Sequence, residues 1–200
     1  MTTAAHKHTR SHEDRMNGNE RFWGRLRLVG WSLAALILLL PLIASSFTDE
    51  VQWSPGDFLA AGLLLGGTGL LFELALRRSR DDAFRWGALV ALATGLLLAW
   101  SNAAVGIVGA GANTANALYF AVLAIGLSGC WVAGFQAKGM SVALFATAAA
   151  QALVTGLAVL FNWGRSADPI ASLLGINAFF VALWIGAALL FRRSAGCGAH

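Results

Sequence analysis

Six runs of apolar residues, separated by short polar breaks, organise this chain. They cover roughly residues 28–47, 54–76, 84–108, 113–135, 141–161 and 168–191. Each is long enough, at about 1.5 Å per residue, to cross about 30 Å of bilayer hydrocarbon. The short breaks favour antiparallel neighbours. The pattern therefore predicts an all-α fold, an integral membrane bundle of six transmembrane helices.

The flanks are different. Residues 1–20 are polar and aperiodic, which predicts a disordered tail. Residues 21–193 form the six-helix domain, and residues 194–200 a second tail. Arg21, Phe22, Trp23, Arg25 and Arg27 alternate basic and aromatic character, as headgroup-level anchors do. The first apolar run is too long for a signal-peptide core and is expected to remain as the first span.

Composition supports the bilayer: 58% of the 200 residues are hydrophobic and 12% charged. A soluble domain carries about 25% charge. The net charge of +4 is not a nucleic-acid signal, because the basic residues flank apolar runs. Thirteen of the fourteen fall before span one, between spans two and three or four and five, or after span six. Arg165 alone lies on the other side. The positive-inside rule then puts both termini in the cytoplasm. Asp49, Glu50 and Asp57 fall in the first outer loop, which has no basic residue. Partners are the lipid bilayer and either a second copy or another membrane protein, with no nucleic acid.

Small residues mark where helices approach closely. Gly62 and Gly66 form a GxxxG pair on span two, beside Gly67 and Gly69. Span two is accordingly expected to be the most tightly packed.

Little in the chain can carry chemistry. Glu73 is the one ionisable side chain inside a span and away from its ends, and such a carboxylate is a functional candidate. Arg77 lies four residues later in the favourable order, so an interfacial ion pair is expected. Ser54 and Asp57 bracket Pro55 and Gly56 as a helix start, with Ser54 capping and Asp57 closing the box. Asp168-Pro169 repeats that logic at span six. The clustered His6, His8 and His12 have no folded frame to hold a metal, and Cys130 and Cys197 have no disulfide or zinc spacing.

Gly126-Leu127-Ser128-Gly129 resembles the GxSG motif of rhomboid intramembrane proteases, which also have six core spans. That family pairs its serine with a histidine on the sixth helix, and no histidine occurs between His12 and His200. The same gap removes axial ligands for a b-type haem. No catalytic, cofactor or metal site is therefore expected.

The neutral polar residues remain. Residues 100–120 carry most of them and no charge, and read as the outer turn between spans three and four. Asn102, Asn116 and Asn177 should lie in the outer half of the membrane, and Gln151 near the middle of span five. Tyr119, Thr155 and Ser101 can join them. Converging, they would line a polar pocket open to the outside. Diverging, they are interhelical hydrogen bonds that serve packing. Asn113 suits the N-cap of span four.

Several segments resemble an uncharacterised family of bacterial multi-pass inner-membrane proteins of about this length. They are Thr48 to Trp53 with Asp57-Phe58, Trp100 to Gly109 with Asn102 inside it, Asn116 with Tyr119-Phe120, and Ala143 to Leu153. The resemblance covers roughly residues 20–192 and implies a location, the bacterial inner membrane, without implying an activity. Its members tend to carry acidic residues and a proline before the position of Asn116. This chain has Gly109-Ala110-Gly111-Ala112-Asn113-Thr114 there, so no charge-based role is expected of that loop. The leading expectation is a non-enzymatic accessory or structural component. The alternative is a small-solute transporter or channel built on the outer polar set.

Overall fold

The computed structural model describes residues 2–45, 47, 53–104, 106–108, 114–163 and 170–197, with side chains from residue 18 onward except 114 and 197. Among these residues the chain is all-helical. Its α-helices are α1 (Thr2–Ala44), α2 (Pro55–Arg78), α3 (Asp82–Ala104), α4 (Ala117–Val132), α5 (Ala137–Leu160) and α6 (Ile170–Cys197), with a 3-10 turn at Thr114–Asn116 before α4. Five are long and apolar enough to cross a membrane; within α1 the qualifying part is Gly18–Ala44. This is a membrane-embedded protein.

Two boundaries differ from the apolar pattern. The backbone of α1 is helical from Thr2, where an irregular tail through residue 20 is predicted. Extending an existing helix needs no new nucleus, and no proline interrupts residues 2–20. The fourth helix is 16 residues long, not the 23 of the run 113–135. Its C-terminal end is set by two consecutive left-handed residues, Gly134 (φ 57°) and Phe135 (φ 56°). Their N–H groups donate back to Trp131 and Cys130 carbonyls at 2.9 and 3.2 Å, closing the last turn.

The chain divides within α2 into two compact units, Met1–Glu73 and Leu74–His200. In the first, Trp23 is buried and meets Phe72 at a ring-centroid distance of 6.3 Å. One turn along α1, Arg27 Nε donates to Glu73 Oε1 at 2.6 Å. A further turn on, the Trp31 indole lies on Gly69, where an added Cβ would sit 2.9 Å from the ring. Residues 23, 27 and 31 thus form one ridge of α1, and 69, 72 and 73 receive it on α2. Most other large apolar side chains of α1 are exposed, Leu28, Leu33, Leu36 and Leu40 among them, as suits contact with lipid.

The second unit is built on α5, which packs against both α4 and α6, while α3 packs chiefly on α6. The buried positions of α5 include Met140, Ala143, Leu144, Thr147, Ala148, Gln151, Val154, Thr155 and Ala158. These recur at three- and four-residue steps, one stripe of a helix. Small residues bring α4 and α5 together: a Cβ on Gly129 would lie 2.8 Å from that of Ala143, and one on Gly139 2.5 Å from that of Ala133. At the other contact, the Phe84 and Phe191 rings meet edge to face at 5.0 Å over Gly87.

Tight small-residue contacts thus form at Gly129 and Gly139 and, on α2, at Gly69 rather than at the Gly62–Gly66 pair. A Cβ added at Gly62, Gly66 or Gly67 meets no described atom within 4 Å. GxxxG permits close approach but does not supply the opposing helix.

The α2–α3 turn is fastened from within. Asp81 accepts the Ala83 and Phe84 N–H groups at 3.4 and 3.3 Å, capping α3. Arg85, buried in the first turn of α3, reaches back to the Ser79 carbonyl at 2.9 Å and the Leu76 carbonyl at 3.4 Å. Those carbonyls end α2 and have no helical partner of their own.

Candidate functional site

All four amide side chains singled out by the sequence are buried, between 0% and 8% exposed. They form two clusters rather than one pocket.

The first cluster closes the α3–α4 connection. Asn102, in the last turn of α3, donates from Nδ2 to the Asn116 carbonyl at 2.9 Å. Asn116 ends the 3-10 turn, and its Oδ1 accepts the Ile107 and Val108 N–H groups at 3.0 and 2.9 Å. A short amide substitutes here for a backbone acceptor, the usual use of asparagine where the chain leaves helix. Gly106 (φ 81°) makes the preceding turn and donates to the Ser101 carbonyl at 3.2 Å. Asn102 Oδ1 is buried without a hydrogen-bond partner. Asn113, the expected N-cap of the fourth helix, lies outside the described residues, as do Arg165 and the Asp168-Pro169 start.

The second cluster ties α5 to α6. Trp184 Nε1 donates to Gln151 Oε1 at 2.8 Å, Gln151 Nε2 to Asn177 Oδ1 at 3.3 Å, and Asn177 Nδ2 to the Leu173 carbonyl at 3.0 Å. The donors all run one way, ending on a backbone carbonyl of α6. Thr155 Oγ1 donates to the Gln151 carbonyl at 2.8 Å. Tyr119, on α4, is fully buried. In so dry a setting each satisfied amide holds its neighbours in register, and an unsatisfied one is costly.

The charged candidates lie elsewhere. Glu73 pairs with Arg27 across α1 and α2, not with Arg77, which is exposed. The i,i+4 rule anticipates only partners on the same helix, so a partner from another helix escapes it. Glu73 Oε2 is buried and has no hydrogen bond. Ser54 and Asp57 bond reciprocally: Ser54 N–H and Oγ donate to Asp57 Oδ2 at 2.7 and 2.8 Å, and Asp57 N–H donates to Ser54 Oγ at 3.2 Å. That is the capping box that starts α2.

In the GxSG segment Ser128 is exposed, its hydroxyl donating to the Ala124 carbonyl at 2.6 Å and Ile125 at 3.2 Å. The two flanking glycines are contact points with α5. Among the described residues no three His, Cys, Asp or Glu side chains gather as metal ligands do.

Two hydrogen-bonding roles escape the sequence reading, in which Trp184 packs between helices and Arg85 is a loop cation. Trp184 is the donor that satisfies Gln151, and Arg85 is a clip rather than a loop cation. The position of Arg85, inside the first turn of an apolar run, was the available signal. Among the described residues the hydrogen bonds of both clusters join only neutral amides, a hydroxyl, an indole and backbone groups. Compared with known proteins, the chain matches no family model, no curated protein and no solved structure.

Proposed function

We propose that this chain is a non-enzymatic protein of the bacterial inner membrane with six spans and both termini in the cytoplasm. It acts as an accessory or structural component through association with a second copy or another membrane protein. The observation that carries this reading is the inward closure of the polar set. Gln151, Asn177, Trp184 and Asn116 spend hydrogen bonds within the chain. Within the first unit, a Cβ added at Gly62 or Gly66 would meet no described atom within 4 Å, leaving room for a neighbouring helix.

The sixth span is α4. Its 16 residues rise about 24 Å and the three-residue 3-10 turn adds about 6 Å, together near the thickness of the hydrocarbon core. Orientation rests on the charge asymmetry of the loops.

A photo-crosslinking residue at the exposed Leu63, beside Gly62, tests the association in native membranes. Adducts with a second copy or with one defined protein are expected; adducts with lipid alone reject the reading. Orientation is tested with single cysteines, after replacement of Cys130 and Cys197. On this reading Asn162→Cys reacts with an impermeant maleimide added outside and Arg80→Cys does not.

The second reading is a small-solute transporter or channel. It is favoured by the meeting of Gln151, Asn177 and Trp184 between α5 and α6, with Thr155 beside them. Osmotic swelling of proteoliposomes with small neutral solutes tests it: swelling no faster than in protein-free vesicles rejects it.

A further inference from the structure

The second unit gathers exposed arginines at one end. The Phe84 and Phe191 rings meet at 5.0 Å, which sets the start of α3 beside the end of α6. Arg85 ties that start back to the end of α2 through the Ser79 and Leu76 carbonyls. Arg77, Arg78 and Arg80 therefore share this end of the unit with Arg192 and Arg193, and all five are exposed. Among the described residues none of the five is ion-paired. Of the two neighbouring acids, Asp81 caps α3 and Asp82 is exposed, which leaves a positive surplus.

Like charge gathered in this way attracts an anion. The surface around the arginines says which kind. Leu74 lies three residues before Arg77 on α2, and Leu189 three before Arg192 on α6; the leucines are 52% and 45% exposed. That spacing puts each leucine on the same helix face as its arginine, about one turn away. Trp86, 41% exposed, adds an indole of the kind that sits at headgroup level. Each face passes from guanidinium to hydrocarbon within one turn, which matches a phospholipid and not a free anion or a soluble acidic chain. Guanidinium forks also fit phosphate oxygens two at a time. We propose that the α2–α3 turn and the end of α6 form one binding surface for the phosphate headgroup of an anionic phospholipid, with its acyl chains along Leu74 and Leu189. The site is independent of whether the protein associates with partners or passes solutes.

Native mass spectrometry of the full chain, titrated with phosphatidylglycerol or with phosphatidylcholine of the same acyl chains, tests this. Tighter binding of phosphatidylglycerol is expected. It should weaken about ten- to thirtyfold in Arg77→Gln/Arg78→Gln and in Arg192→Gln/Arg193→Gln, the order expected for two arginines at an anionic lipid surface. Arg21 and Arg25, an exposed pair of equal charge in the first unit, serve as the control, and Arg21→Gln/Arg25→Gln should keep the preference. Equal binding of the two lipids overturns the proposal, as does an equal loss in the control variant. Displacement of the lipid by inorganic phosphate also overturns it, since the site would then hold a free anion. Should a glutamine pair fail to fold, a photoreactive phosphatidylglycerol on the unaltered chain replaces it. Adducts at residues 74–86 and 189–193 support the site, and adducts only elsewhere reject it.

Discussion

The Trp184 indole N–H on α6 donates to Gln151 Oε1 on α5 at 2.8 Å, and both side chains are buried. Gln151 is the hinge of this relay, because its amide passes the interaction on to Asn177 at 3.3 Å. Gln151→Leu removes both links and strands the Trp184 donor, at an expected cost of about 1–3 kcal/mol. Trp184→Phe in the Gln151→Leu background should then cost less than it does alone. A double-mutant cycle on unfolding in bicelles checks this; membrane pairs typically couple by about 0.6 kcal/mol, so a coupling of zero would refute the relay.

Asn116 supplies one oxygen to two buried N–H groups, those of Ile107 and Val108. Asn116→Ala should speed hydrogen exchange at these two amides by about ten- to hundredfold, the equivalent of about 1–3 kcal/mol for stranded donors. Amides in the middle of α3 and α5 should keep their protection. Equal acceleration across the bundle would mean that Asn116 supports the whole fold rather than the connection.

Gly129→Ala and Gly139→Ala put a Cβ within 2.8 and 2.5 Å of the Ala143 and Ala133 methyl carbons. Overpacking of this kind costs about 1–3 kcal/mol, more than alanine gains over glycine in a helix. Gly62→Ala meets nothing, and should leave the stability of the isolated chain unchanged or raise it by up to about 1 kcal/mol. Unfolding of the three variants in mixed micelles separates the contacts. A Gly62→Ala protein less stable than Gly129→Ala would reverse the assignment.

Glu73 is bound to Arg27 rather than Arg77. A cycle of Arg27→Ala with Glu73→Gln should show coupling, and one of Arg77→Ala with Glu73→Gln none. The coupling should stay within about 1 kcal/mol, because the Arg27 side chain is 45% exposed and open to screening.

The six helices were legible in the sequence because hydropathy over about 20 residues is a strong signal. Their partners were not. In lipid, an exposed leucine is as comfortable as a buried one, so the outward face of α2, with Leu59, Leu63 and Leu70, reads no differently from a packed one. GxxxG therefore pointed to α2, whereas the close contact formed between Gly129, Gly139 and the alanines opposite them. The amides were legible as residues of interest, yet their pairing was not. Asn102 finds Asn116, and Gln151 finds Asn177, across 14 and 26 residues of chain. Such pairings depend on helix rotation, which hydropathy does not encode. The end of α4 turned on the left-handed pair Gly134 and Phe135, and only the glycine announces itself.

The Arg85 clip bears on how this protein can be handled. The stretch between α2 and α3 is short and polar, with Arg80 exposed, and would ordinarily be chosen for an epitope tag, a fluorescent-protein fusion or a protease site. Yet Arg85 reaches back six and nine residues to Ser79 and Leu76. A cassette placed between Ser79 and Asp81 would part the guanidinium from its acceptors and leave a buried cation facing open helix ends. The 133–136 turn carries no such back-reaching side chain in its hydrogen bonds, which are made by its own backbone. That turn is nevertheless packed, with Ala133 pressed on Gly139 and Phe135 on Trp131, so neither connection takes an insertion neutrally.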